Sequence, residues 1–289
     1  MNLKDISLEI NDLLEKRRKE LELTFIEEEH IYYMKDVDGE IKKNFPSVSK
    51  IIKKFYKPFD ADGMALKMSK GDPEGQANLL AEWKQAGDLS TNMGSRVHFE
   101  LESDLIGRFD NYKEVRQPLF DINEEQQRKS DNMIIAGKQF LDLMLERGGV
   151  LLDTEIVLGD PTEQYTGQPD KVWLMENKTK DDFGFVITDW KTNQPKNFEV
   201  HHYTGKLYPP FSEYHDNALS HYYLQLPLYG RLLRKMLEGT KYSDTKLLGG
   251  VIVLLKEDGT FVEYKVPPQI NNTIQTMDLT KYISRWSKK

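Results

Sequence analysis

The sequence predicts a mixed α/β fold of the α+β kind, a central mixed β-sheet flanked by helices with a helical lobe ahead of it. Three observations carry that expectation. Up to about residue 148 the apolar spacing is largely helical, with breaks at glycine and proline. From Val150 to Lys191 the period shortens to the alternation and β-branched runs of strands. A long helix over Asn217–Leu237 is then followed by two more strand candidates.

Taken in order, residues 3 to 22 place Leu3, Ile6, Ile10, Leu13 and Leu14 among dense charges, which predicts an amphipathic surface helix. Phe25–Met34 and Ile41–Phe45 read as a hairpin across Val37-Asp38-Gly39-Glu40, an Asp-Gly turn. Pro46-Ser47-Val48-Ser49 supplies helix-start chemistry for Lys50–Tyr56. Asp60 to Gly107 predicts about three helices, interrupted at Gly71-Asp72-Pro73 and near Gly87-Asp88. A charged connector leads to a helix over Met133–Arg147, closed by Gly148-Gly149. Strands follow at Val150–Leu158, Gly167–Met175 and Phe183–Lys191, as a meander. A polar, aromatic loop from Thr192 to Asp216 precedes the long helix, in which Pro227 predicts a kink or a lost backbone bond. Strands at Leu247–Lys256 and Phe261–Val266 and a final helix ending near Trp286 complete the chain. It reads as one domain with an N-terminal helix and hairpin (1–45), a helical lobe (46–148), and a sheet core with C-terminal helices (149–289).

At 289 residues and 38% hydrophobic content the chain is large enough to bury a sizeable core. No apolar run is long enough to cross a bilayer, and the N-terminus lacks a secretory signal, so the expectation is a cytoplasmic protein with no membrane partner. The absence of cysteine excludes thiolate zinc sites, iron–sulfur clusters and cysteine nucleophiles. A net charge of −7 argues against coating nucleic acid by bulk electrostatics, but not against a nuclease, whose metal site is itself acidic. Phosphate contacts need only a local basic track, for which Lys42, Lys43, Lys50, Lys53, Lys54 and Lys57 are the densest candidates.

The sharpest chemical signal ends the third strand. Asp189 and Lys191, two apart after Phe185-Val186-Ile187-Thr188, point to one side of a strand, and Asp170 of Pro169-Asp170 arrives just before it. Two carboxylates and an ammonium suit metal-assisted phosphodiester cleavage, the acids cradling Mg²⁺ or Mn²⁺ and the lysine holding water. The bland alternative is an exposed strand-end ion pair, worth little. An apolar run before it weighs against that, because charges in a central strand rarely lack a partner or a task. His98 and Glu102 share a helix face one turn apart, with Gly94-Ser95 a turn earlier. Gln225 and Tyr229 repeat that spacing on the long helix. Glu155 is a further acid, although its alternation with Leu152, Thr154 and Ile156 is that of an ordinary half-exposed strand.

In sequence order, Gly94-Ser95 to His98 to Glu102, Gly167-Gln168-Pro169-Asp170, Asp189-Trp190-Lys191-Thr192 and Gln225 to Tyr229 resemble the motifs of the PD-(D/E)XK nucleases, RecB-like branch. Within that superfamily the chain is most similar to the mitochondrial genome maintenance exonuclease group and its viral and bacterial relatives, through Pro46–Ser49 and Glu82-Trp83 as well. The similarity runs from about residue 45 to residue 255. The resemblance implies a restriction-endonuclease-like core, with His98, Asp170, Asp189 and the Trp190 carbonyl as metal ligands. It makes Lys191 the catalytic lysine, Glu102 an acid beside the metal water or a second ion, and Gln225 and Tyr229, with Gly94, Ser95 and Thr192, contacts near the bound strand. Several relatives carry a four-cysteine iron–sulfur cluster; this chain, without cysteine, resembles the cluster-free exonucleases.

The expected activity is therefore Mg²⁺- or Mn²⁺-dependent DNA exonuclease action, on single-stranded ends, in replication, recombination or repair, as in phage-encoded enzymes that work in the host cytoplasm. Phe55, Tyr56, Phe59 and Trp83 in the helical lobe are candidates for base stacking, or for core packing. Competing readings are a structure-specific endonuclease, a DNA-end-binding scaffold without catalysis, and a metal-dependent hydrolase acting on another substrate.

Overall fold

The computed structural model describes residues 2–26, 29, 31–109, 120–179, 182–198 and 205–283. The architecture mixes helices with a mixed five-stranded sheet, in two compact units: 1–56, 141–254 and 262–289 form the first, 57–140 and 255–261 the second.

The first unit opens with α1 (Leu3–Glu20), capped by the Asn2 side chain, which accepts the Lys4 N–H at 3.1 Å. Leu3, Ser7, Ile10 and Leu14 form its buried stripe, as the spacing predicts. The helix is anchored rather than peripheral: Ser7 and Asn11 donate to the carbonyls of Leu151 and Leu152 at 3.1 and 2.6 Å. β1 (Thr24–Ile26), β2 (Ile31–Lys35) and β3 (Ile41–Lys43) make an antiparallel three-stranded sheet. The predicted Phe25–Met34 arm is thus two strands, since Ile26 pairs with Ile31; the acidic run after Ile26 offers no apolar face to bury. The Asp-Gly turn stands, with Gly39 at φ +81. α2 (Val48–Ile52) starts at Ser47 and tightens into a 3₁₀ turn over 53–55, two residues earlier and shorter than the spacing predicts.

The second unit contains α3 (Ala61–Met68), α4 (Pro73–Phe109) and α5 (Glu124–Glu146) up to Phe140. Asp60 caps α3, accepting the Gly63 N–H at 2.9 Å. The expected break at Gly87-Asp88 is absent. Both residues lie on an exposed face, where an interior glycine costs only about 1 kcal/mol, and the rest of α4 outweighs it. Met93, Val97, Leu101 and Leu105 form a buried stripe, and Met133, Ala136 and Phe140 are buried on α5. Gly137 lets the helices approach, because a Cβ there would lie 2.4 Å from Leu101. α5 begins at Glu124 rather than Met133: Asn123 and Gln126 exchange side-chain and backbone bonds at 2.9 and 3.0 Å, a capping box hidden in the charged connector.

Returning to the first unit, β4 (Val150–Thr154), β5 (Leu158–Asp160), β6 (Tyr165–Gly167), β7 (Lys171–Glu176) and β8 (Phe183–Lys191) precede a short α6 (Pro195–Phe198). α7 (Ala218–Met236), β9 (Lys246–Leu255), β10 (Phe261–Lys265) and α8 (Pro268–Thr276) follow. Two predicted strands therefore each split in two. Glu155, at φ +50, ends β4, and the turn at Gln168-Pro169-Asp170 separates β6 from β7. The sheet order is β10-β9-β8-β7-β4, with β5 and β6 as a separate hairpin. β4, β7 and β8 are neighbours in that order and run antiparallel, as the expected meander requires; β8 and β9 are parallel, with the expected long helix, α7, as their crossover connection. α7 begins at Asn217, which caps the Ser220 N–H at 2.9 Å, and passes unbroken through Pro227. After α8 the described residues hold a 3₁₀ turn over Leu279–Lys281; Trp286, where the final helix is expected to end, residues 110–119 of the connector and 199–204 of the loop lie outside the described residues. Among the described residues no helix is long and apolar enough to cross a membrane.

Candidate functional site

β8 lies inside the sheet of the first unit, with β7 and β9 on either side, so its residues are buried almost to the end. Phe185 and Ile187 face the apolar cluster that includes Leu224 and Leu228 of α7, and alternation carries Asp189 and Lys191 onto the same side. The antiparallel register pairs Lys171 with Thr188; one step further along, Asp170 stands opposite Asp189. The Asp170 carboxylate accepts the Trp190 N–H at 2.8 Å, which ties the two strand ends together.

These acids are not an exposed strand-end pair. Asp170 is 7% exposed and Asp189 2%, where an ionised carboxylate needs a compensating partner. The Lys191 ammonium is that partner for Asp189. Burial, and next the charge of Asp170, push the Asp189 carboxyl up to about 6, against the pull of Lys191 and Lys171. Burial works against the charge on Lys191, yet the attraction of Asp189 and Asp170 outweighs it and holds the ammonium above its ordinary value.

α7 lays its polar pair over this end of the sheet. Gln225 donates to the Tyr229 hydroxyl at 2.7 Å, and burial followed by the charge of Asp189 raises the Tyr229 phenol well above its usual range. Gly167 makes the approach possible: a Cβ there would lie 2.6 Å from the Tyr229 ring and 2.9 Å from Val48. Thr192 follows directly after β8 and is half-buried.

Glu155 departs from its expectation as an ordinary strand position. In its left-handed turn its N–H donates to the Asp170 carbonyl at 3.0 Å, while Gln168 donates to the Glu155 carbonyl at 3.1 Å. Carboxylate oxygens of Glu155 and Asp170 lie within 4.8 Å of each other. Strand alternation gave no sign of this, because the residue has left the strand.

Trp190 turns its ring to the opposite side of the sheet, where the Lys171 ammonium stands 4.4 Å from the ring centroid and Trp173 donates to Thr188 at 3.0 Å. Lys171, 1% exposed, escaped the sequence reading, as did Tyr222 and Asn193, whose hydroxyl-to-amide bond measures 3.2 Å. Their roles come from contacts across elements, which no spacing rule encodes.

The remaining candidates belong to the second unit. Gly94, Ser95, His98 and Glu102 lie on α4; Ser95 is exposed and the other three are half-buried, beside the stripe of Val97 and Leu101. The helix thus keeps His98 and Glu102 together at one edge, one turn apart. Of the lysine track, Lys42 is committed to Asp36 in an ion pair, whereas Lys43, Lys50, Lys53, Lys54 and Lys57 are exposed. Phe55 packs in the core against Phe211 and Tyr282, and Tyr56 stacks on His221 with centroids 3.6 Å apart. In the second unit Phe59 is 70% exposed, with Trp83 6.1 Å away.

Asp170 and Glu155 offer hard carboxylate oxygens within 4.8 Å of each other, Asp189 stands opposite Asp170 on the next strand, and the charge of Asp170 adds to the cost of ionising Asp189. That chemistry fits a Mg²⁺- or Mn²⁺-sized divalent cation. Comparison with protein-family models and with curated proteins gave no match for this chain.

Proposed function

We propose that this protein is a Mg²⁺- or Mn²⁺-dependent deoxyribonuclease that hydrolyses phosphodiester bonds, acting as an exonuclease on single-stranded ends in DNA replication, recombination or repair. One observation carries the reading: two buried carboxylates, Asp170 and Asp189, stand at adjacent strand ends with a lysine on the same side. Charges placed at such cost in a central sheet call for a function.

Asp170 and Asp189 would hold the ion, with Glu155 as a further oxygen donor; the motif resemblance adds His98 and the Trp190 carbonyl, and Glu102 as a nearby acid. When bound, the ion polarises the phosphate and makes a water more acidic. Lys191, held as an ammonium, donates hydrogen bonds that orient that water or a phosphate oxygen. Asp189 and Asp170 keep Lys191 charged, and Lys191 in turn lets Asp189 ionise in a buried setting. Gln225 and Tyr229, hydrogen-bonded to each other, form a polar contact from α7 for the DNA strand. Support for single-strand binding comes from the exposed Phe59 with Trp83, beside exposed Lys57 and Lys84, a combination suited to stacking bases and meeting phosphates.

The test is cleavage of end-labelled linear and circular single-stranded DNA with Mg²⁺, Mn²⁺ or chelator. Metal-dependent degradation of the linear strand alone supports the proposal; equal rates on circles mean an endonuclease, and no cleavage by the folded protein with either metal removes the enzyme reading.

A further inference from the structure

Tyr222 lies three residues before Gln225 and seven before Tyr229 on α7, at the edge of the same helix face. The Lys191 ammonium stands 4.3 Å from its ring centroid, and the ring hydroxyl donates to Asn193 Oδ1 at 3.2 Å. Asn193 follows Lys191 by two residues, so the segment that carries the lysine also anchors the ring. Phe198 of α6 packs near the same ring, with centroids 5.8 Å apart and planes 31° from parallel. Tyr222 is thus fixed at its hydroxyl end, and by a neighbouring ring, before it meets the ammonium.

A lysine head is a flexible four-carbon stem ending in three donors. Asp189 takes one direction of the Lys191 ammonium, and the face of Tyr222 closes a second. A ring attracts the cation without accepting a directed proton, so it restricts where the head sits while leaving N–H capacity for another oxygen. We propose that Tyr222, through the face of its ring, is a positioning residue that fixes the Lys191 ammonium beside Asp189. Its kinetic consequence rests on the nuclease reading above; its structural content does not.

The experiment uses the full chain as Y222F, Y222L and N193A. Lysine acylation by an N-hydroxysuccinimide ester, followed by mass spectrometry of metal-free protein, reports how readily the Lys191 head leaves Asp189 and the ring to react as the neutral amine. Y222L is expected to label Lys191 about tenfold faster than the parent, the factor that corresponds to losing a partly buried cation–π contact. Y222F keeps the ring and should stay within about threefold, as should N193A, because each removes only one neutral hydrogen bond. Unchanged Lys191 labelling in a folded Y222L overturns the proposal. If Y222L fails to melt cooperatively, Y222M takes its place, with the same outcomes deciding.

Cleavage kinetics supply the second readout. Y222L should lower kcat about tenfold at unchanged KM, with activity restored by the ring alone in Y222F. A loss confined to KM, or equal losses in Y222L and Y222F, contradicts positioning through the ring. If the parent protein cleaves no DNA, the nuclease reading fails while the labelling comparison still tests Tyr222.

Discussion

The end of the central sheet in the first unit and the middle of α4 in the second both carry ionisable side chains, under different constraints. Asp170, Asp189 and Lys191 stand at the ends of paired strands, nearly removed from water, and the charges of Asp170 and Lys191 act on Asp189 as those of the two acids act on Lys191. His98 and Glu102 sit half-buried on one helix, beside an apolar stripe, at a spacing that any amphipathic helix provides. Burial is what separates the two. A strand-end acid with 2% exposure must be compensated or shifted, and Asp189 is both; a half-buried helical pair can be solvated, and so says less about function on its own.

The largest expected effect tests the sheet side. D189N should abolish metal-dependent DNA cleavage while leaving the far-ultraviolet spectrum unchanged, and K191A should lower the rate by about 10²–10⁴-fold, the range for removing a group that manages a proton. Full activity in either variant would break the contrast at its stronger end. On the α4 side, H98A should weaken Mn²⁺ binding by calorimetry and cost about 10²-fold in rate, less than D189N, because a neutral ligand balances no charge. H98A indistinguishable from the parent would confine the chemistry to the sheet.

A pH series sharpens the comparison further. A carboxyl raised to about 6 holds its proton below that pH, and an entering cation must displace it. Metal affinity should therefore strengthen as pH rises through about 6, and D189N should flatten that step. Retention of the full step in D189N would assign it elsewhere.

Smaller effects probe the scaffolds. G167A must push a methyl into the Tyr229 ring and Val48, and should destabilise the protein by about 1–3 kcal/mol in denaturant melts, the usual cost of overpacking. G87A meets nothing within 4 Å in the exposed interior of α4, and should stabilise by about 0.4–1 kcal/mol. A G87A protein less stable than its parent would mean that the uninterrupted α4 is strained at that point.

Much of this architecture is legible from periodicity. Phe183–Lys191 and the helix after Asn217 were bounded by the sequence to within a residue or so, because a β-branched run and an Asn cap are local signals. The Gly87-Asp88 break was misjudged because a local penalty of about 1 kcal/mol is small beside the stripe of Met93, Val97, Leu101 and Leu105 that α4 buries. The early start of α5 was legible in principle, in Asn123 and Gln126, but dense charge masked it. Of the candidate site, Asp170, Asp189 and Lys191 follow from alternation and adjacency, whereas Glu155, Tyr222 and Asn193 do not.

The chain by itself determined which residues could share a strand face or a helix edge, since those periods of two and 3.6 are properties of the backbone. Only the tertiary structure decided that β8 pairs in parallel with β9, that a left-handed turn at Glu155 swings its acid toward Asp170, and that α7 sets Tyr222 over Lys191. Those outcomes depend on which apolar surfaces bury one another, a competition among distant segments that no window of neighbouring residues contains.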